Sequence, residues 1–269
     1  MKLLSRARSA LAVARVGLVF LWGSLVLRLY VVPSSWLHPA RRRAIGSRFF
    51  QRTASQIFQT LESGGTPFRR VGVIRTDRPC YVLGNHQGLI DILQLALMGS
   101  PYAPAFVTRR RYRRFVPLVS QTMRMIDCPI VDPKRDPRSA VGVMTEAARK
   151  LEGGLIIFAE GHRTRDGEVK KFRPAGILAM LGARRLPVYA VMSDGVWQAR
   201  RLVDFFSGLH EVSPWAEALG PFAPPENEAD LPEFVERIRA LIVRRLAEHR
   251  QGRDDASAAV AESGLVPVN

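Results

Sequence analysis

Cys80-Tyr81-Val82-Leu83-Gly84-Asn85-His86-Gln87-Gly88-Leu89-Ile90-Asp91 is the stretch from which the rest of the chain is best read. A short apolar run, too brief for a helix, ends in a polar block and then turns apolar again. Leu155-Ile156-Ile157-Phe158-Ala159-Glu160-Gly161-His162-Arg163-Thr164 repeats that grammar. Apolar runs of this length bounded by turn residues read as buried strands. Similar runs occur at residues 71–74, 105–108, 129–131 and 187–192. Helical patterns fill the gaps. The clearest has Asp136 as N-cap, Pro137 at the first position, and Val141, Met144, Ala148 and Leu151 on one face. Alternation of this kind predicts an α/β fold, a largely parallel or mixed sheet flanked by helices. Ligands of such sheets sit outside the carboxyl ends of the strands, so both polar blocks fall on one edge.

The chemistry of the first block rests on His86 and Asp91. Five positions apart, they would diverge by about 140° on a continuous helix. They meet if His86 lies in the loop and Asp91 in the first helical turn. A carboxylate on one imidazole nitrogen fixes the tautomer and leaves the other free to take a proton. No GxSxG elbow is present and no cysteine neighbours the histidine, so the proton is expected from a bound hydroxyl rather than a protein nucleophile. Taken alone, such a pair is also what a structural or surface coincidence looks like. A metal site is the poorer alternative, because no further cluster of ligands accompanies it, and no metal or redox cofactor is expected. Arg163 is either an anion clamp or one more solvated arginine.

The chain has 269 residues, 47% of them hydrophobic, and a formal net charge of +16. That is enough for one sizeable core and argues against global disorder. The charge requires an anionic partner, either nucleic acid or an acidic membrane surface. Cys80 and Cys128 are too few for a disulfide framework and read as buried small apolar residues.

Residues 16–27 are apolar, followed by Arg28 and then residues 29–32. A bilayer span needs about 20 apolar residues, and a signal peptide is the second reading. Basic residues flank both sides, Arg8 and Arg15 before and Arg41, Arg42, Arg43 and Arg48 after. A helix lying in the membrane interface satisfies both flanks. Ile45, Phe49, Phe50, Ile57, Phe58 and Leu61 then recur at helical spacing, facing either the membrane or the protein's own core. Leu231, Phe234, Val235, Ile238, Leu241, Ile242 and Leu246 give the apolar face of a last helix. The expected organisation is residues 1–65 as N-terminal membrane-associating helices, 66–250 as the α/β domain and 251–269 as a disordered tail.

The two blocks together resemble the glycerolipid acyltransferases of the phosphate acyltransferase superfamily, the bacterial lysophosphatidate acyltransferase type. The motif N-H-x4-D is matched by Asn85, His86 and Asp91, and F-P-E-G-T-R at Phe158, Glu160, Gly161 and Arg163. Arg110 stands where a lysine is usual, with Pro117 seven residues later, and Leu186-Pro187-Val188 resembles the late proline segment. Ala159 and His162 depart from the usual proline and threonine. Tyr112, Ser120 and Pro133 depart from the usual glutamate, glycine and arginine.

The resemblance implies that His86 is the base and Asp91 its partner, with Asn85, Glu160, Gly161, Arg163 and Arg110 on the substrate side. Glu160 would position Arg163 or contact a glycerol hydroxyl, and amides near Gly88 or Gly161 would meet the oxyanion. The implied partners are a lysophospholipid acceptor, acyl-CoA or acyl carrier protein as donor, and an anionic membrane surface on the cytoplasmic face of the inner membrane. The run Arg109-Arg110-Arg111-Tyr112-Arg113-Arg114-Phe115 fits anionic head groups or the donor's phosphates. It is also the pattern that binds single-stranded nucleic acid, but no nucleic-acid module accompanies it, and nucleic acid is disfavoured.

Overall fold

The computed structural model describes residues 2–112, 118–198, 212–252, 260 and 262–266. Arg113, Arg114, Phe115 and Pro117 lie outside the described residues. The N-terminal helix α1 (Lys2–Val26) runs through a π-helical segment, Leu27–Val31, into α2 (Val32–Leu37). After it come α3 (Arg42–Glu62), β1 (Arg69–Val71), β2 (Ile74–Arg75), β3 (Cys80–Gly84) and α4 (Ile90–Met98). Next are β4 (Gly99–Ser100), β5 (Ala105–Phe106), β6 (Thr108–Arg109), α5 (Val119–Met125) and β7 (Ile130–Val131). The chain continues with α6 (Pro137–Arg149), β8 (Gly154–Phe158), α7 (Pro174–Ala183), β9 (Val188–Asp194), β10 (Trp215–Phe222) and α8 (Leu231–Arg250).

Six strands form the main sheet in the order β1-β10-β9-β3-β8-β5, with β2–β4 and β6–β7 as two small pairs. The centre is parallel and β10 runs antiparallel to β9, so the expected mixed α/β architecture is found. Every residue of β3 is buried, as is all of β8 except half-buried Phe158. That explains their continuous apolar runs, since strands covered on both faces need no alternation. Register matters most for the site. Gly84 pairs with Phe158 on one side and Val191 on the other. The chain segments beginning at Asn85 and Ala159 therefore leave the sheet side by side.

Asp136 caps α6 as expected, accepting from the Ser139 amide at 2.9 Å. The run 71–74 is split into β1 and β2 around Gly72, whose φ is 82°. Strand β10 had no sequence signal. It contains no β-branched residue and carries an inward glutamate, Glu217, buried against Arg245 of α8 at 2.9 Å. The expected disordered tail also differs where it is described. Leu265 is buried, Arg244 pairs with Glu262 at 2.6 Å, and the Ala223 amide donates to Val266. Leu265 and Val266 supply the anchor that a small, polar stretch otherwise lacks.

Helix α3 turns its apolar face inward. Ile57, Phe58 and Leu61 pack with Ala12, Val13 and Val16 of α1, while Ile45 and Phe49 pack around Leu27, Val31 and Val32. Each fully buried side chain of this kind contributes roughly 1.5–3 kcal/mol, which holds α1 along the domain. The other side of α1 and α2 is apolar and uncovered, with Leu18, Trp22, Leu29, Trp36 and Leu37 all exposed.

Candidate active site

Asp91 sits in the first turn of α4 and is fully buried. Its Oδ2 is within 2.8 Å of His86 Nδ1 and accepts the Gln87 and Gly88 amides at 2.6 and 2.9 Å. Three donors on one carboxylate oxygen fix the loop and anchor the imidazole together. The ring stacks on Phe158 with centroids 3.9 Å apart and planes 17° off parallel. With Nδ1 held by a carboxylate and the ring plane set by Phe158, Nε2 is the nitrogen left for chemistry.

Glu160 is buried and braces the site loops. Its Oε1 accepts the His86 amide at 3.1 Å and its Oε2 the Lys170 amide at 3.3 Å. It ties the β8 loop to the histidine's own backbone. Burial pushes its carboxyl up, outweighing the two amide bonds, from an ordinary 4.5 to about 7, with the Asp91 charge adding to the rise. The Thr164 amide, donating to the His86 carbonyl at 2.7 Å, is a second tie between the loops.

Asn85 is likewise a strut. It exchanges two 2.8 Å hydrogen bonds with the Ser193 backbone and is fully buried, so it braces β3 against β9. Arg163 is half-buried in the same loop, between Gly161 and Thr164. Arg110 lies exposed in a 3-10 turn. Its neighbour Arg109 is the one that reaches the site, donating to the Gly161 carbonyl. Arg173 packs on the same glycine, 3.0 Å from where a Cβ would sit. Arg109 was within the basic run, but nothing in the sequence singled it out from Arg110. The amides of Gly88 and Gly161, expected for the oxyanion, are engaged by Asp91 and the Phe158 carbonyl.

Burial pushes both cysteine thiols up to about 12, so neither serves as a nucleophile near neutral pH. Among the described residues no group of three His, Cys, Asp or Glu side chains could hold a metal ion.

These features define a class: an α/β protein with a carboxylate-anchored imidazole and a cationic rim at the carboxyl edge of a parallel sheet. Residues 67–193 match the family model described as Acyltransferase. The chain's curated relatives include chloroplastic 1-acyl-sn-glycerol-3-phosphate acyltransferases of Brassica napus and Arabidopsis thaliana, 30% and 28% identical over 118 residues. Those alignments cover 42% of this chain and about a third of each relative (33% and 32%). The 1-acyl-sn-glycerol-3-phosphate acyltransferase of Limnanthes douglasii is 25% identical over 68% of this chain and 64% of its own length. The crystal structure of the 1-acyl-sn-glycerophosphate acyltransferase PlsC from Thermotoga maritima shares the fold. Its TM-score is 0.64 at 21% identity, over 89% of this chain and 98% of that one.

Proposed function

We propose that this protein is a membrane-associated O-acyltransferase. It moves an acyl chain from acyl-CoA or acyl carrier protein to the hydroxyl of 1-acyl-sn-glycerol-3-phosphate, giving phosphatidate. The observation that carries this reading is the 2.8 Å His86–Asp91 contact at the edge of the sheet. His86 Nε2 takes the proton of the acceptor hydroxyl as its oxygen attacks the thioester carbonyl carbon. The tetrahedral intermediate collapses with cleavage of the C–S bond, and the imidazolium returns the proton to the departing thiolate. Asp91 stabilises the imidazolium between the two steps. Arg163, with Arg109 at Gly161, supplies positive charge for the acceptor's phosphate, the kind of contact guanidinium makes best. The acyltransferase relatives named above support the same acceptor.

The uncovered stripe on α1 and α2 supports membrane attachment. Ala10–Leu37 has a mean hydropathy of 2.1 over its most apolar window. Ala12, Val13, Val16, Leu27, Val31 and Val32 are spent on the protein's own core. A helix covered by protein along one side suits an interfacial position better than a lipid-surrounded span, with Arg28 snorkelling to the head groups. The cytoplasmic face of the inner membrane, where acidic lipids meet a strongly basic protein, is the proposed location.

His162, exposed on the acceptor loop where a threonine is usual, favours a second reading in which the acceptor is another lysophospholipid or a lyso-ornithine lipid. The test is transfer from labelled acyl-CoA and acyl carrier protein to a panel of lyso-lipids. Labelled phosphatidate as the main product is expected. Transfer only to a lipid without a phosphomonoester would keep the chemistry and discard the acceptor. No transfer by folded protein would leave a basic lipid- or nucleic-acid-binding protein without catalysis.

A further inference from the structure

The last residue of α8 reaches the loops that carry the site. Arg250 donates from Nε and Nη2 to the two carboxylate oxygens of Asp194, at 2.9 and 3.1 Å. Its Nη1 donates to Glu168 at 2.7 Å and its Nη2 also to the Gly167 carbonyl at 3.0 Å. Asp194 ends β9 and passes the contact on, accepting Gln87 Nε2 at 3.0 Å. Gln87 is fully buried and its amide is saturated. Nε2 also donates to the Gly167 carbonyl at 3.3 Å, and Oε1 accepts the Val196 amide at 3.1 Å. The backbone of this same Gln87 donates to the Asp91 oxygen that holds His86.

One guanidinium thus joins three loops, those after β3, β8 and β9, to the end of a long helix. The local sequence is fitted to it. Gly167 has a φ of 82°, and a Cβ there would stand 2.9 Å from both Arg250 Nη2 and the Trp197 ring. Burial alone would raise the Asp194 carboxyl, but the bonds from Arg250 and Gln87 outweigh it and hold it below the usual range. The anion is thereby kept for both donors.

Arg245, five residues earlier on α8, provides the contrast. It is buried and paired with Glu217 at 2.9 Å and Glu248 at 2.7 Å. Glu217 lies on β10 and Glu248 on α8 itself, and neither belongs to a loop of the site. It is a packing ion pair under the sheet. Arg250 keeps a third of its side chain exposed, 34%, and spends its donors on the loops that carry the site.

We propose that Arg250 is a positioning residue for His86, acting through Asp194 and Gln87 on the turn whose amides hold Asp91. The proposal rests on the acyltransferase reading above for its kinetic test and on geometry alone for its spectroscopic one. Misplacement of a catalytic group by about 1 Å from a distant change can cost on the order of 100-fold in rate. In the full chain in detergent micelles, Arg250→Met should lower kcat by about 10- to 100-fold with acceptor KM within about twofold. Arg250→Lys, which can replace one of the two Asp194 contacts, should recover part of that loss. The histidine ring 15N resonances of His86 should shift or broaden in Arg250→Met. Arg245→Met should lower thermal stability while leaving kcat of the folded protein and the His86 resonances in place.

Wild-type kcat and unmoved His86 resonances in a folded Arg250→Met protein would overturn the proposal. If that variant does not fold, Arg250→Gln, which keeps one donor, is read by the same two criteria. Should the wild type transfer no acyl group at all, the acyltransferase reading fails, and the resonances still decide whether Arg250 positions the imidazole.

Discussion

Two regions of the molecule solve opposite problems. At the sheet edge, polar side chains are buried and given partners: Asp91 has three donors on one oxygen, Glu160 an amide on each, and Asn85 a reciprocal pair. Along α1 and α2, large apolar side chains are left uncovered, with Leu18 65%, Trp22 63% and Trp36 76% exposed. A soluble surface carries such residues singly; a continuous stripe marks an interaction face. In the proposed reading, rigidity is invested where a proton moves and adhesion where the lipid substrate resides. A lyso-lipid acceptor requires both, because its hydroxyl must reach a fixed base while its chain stays in the bilayer.

Three changes would break or sharpen this contrast, in decreasing order of expected effect. Asp91→Ala strips the anchor from the imidazole and leaves the Gln87 and Gly88 amides buried without an acceptor. Acyl transfer should fall by a factor on the order of 10² to 10⁴, and unfolding should become easier by about 3 kcal/mol. Denaturant titration beside the transfer assay checks both numbers. A folded, active variant would mean that the carboxylate is incidental.

Replacing Leu18, Trp22 and Leu29 together with glutamine should weaken vesicle binding by roughly 10-fold per residue, given about 1.5 kcal/mol for each apolar side chain. Core contacts of α3 should survive, so the circular dichroism spectrum should not change. Sedimentation with anionic vesicles is the check, and undiminished pelleting in high salt would move the anchor elsewhere.

The smallest effect concerns Glu160. Its carboxyl is raised in the folded protein from 4.5 to about 7, so the native state holds a proton that the unfolded chain has released between those values. Stability from this group is therefore highest below about pH 4.5, falls as pH rises through 7, and is level above it. The loss should be on the order of 2–3 kcal/mol. In Glu160→Gln that part of the pH slope should vanish. Equal slopes in wild type and variant would remove the buried, neutral-leaning carboxyl from the account.

The sequence made the central strands and the His86–Asp91 geometry legible because both are local. A five-residue apolar run, a polar loop and a carboxylate in the first helical turn lie within one dozen positions. Strand β10 was hidden because it lacks β-branched periodicity and its inward Glu217 is matched by Arg245, 28 residues away. The bracing bonds of Asn85 and Glu160 were hidden for a related reason. A motif says which residues gather, but whether an oxygen faces a ligand or a neighbouring amide is decided by the register of β3 with β8 and β9. Arg109 and Arg250 escaped notice because their partners, the Gly161 carbonyl and Asp194, come from other segments of the chain.

The central claim is that His86 Nε2 removes the proton of a lysophosphatidate hydroxyl. The most direct measurement is the rate of labelled phosphatidate formation by purified wild-type protein and its His86→Ala variant in vesicles containing 1-acyl-sn-glycerol-3-phosphate. The account predicts product from the wild type and a loss of about 10²- to 10⁴-fold in the variant, with unchanged folding and vesicle binding. Equal rates from the two proteins would contradict it.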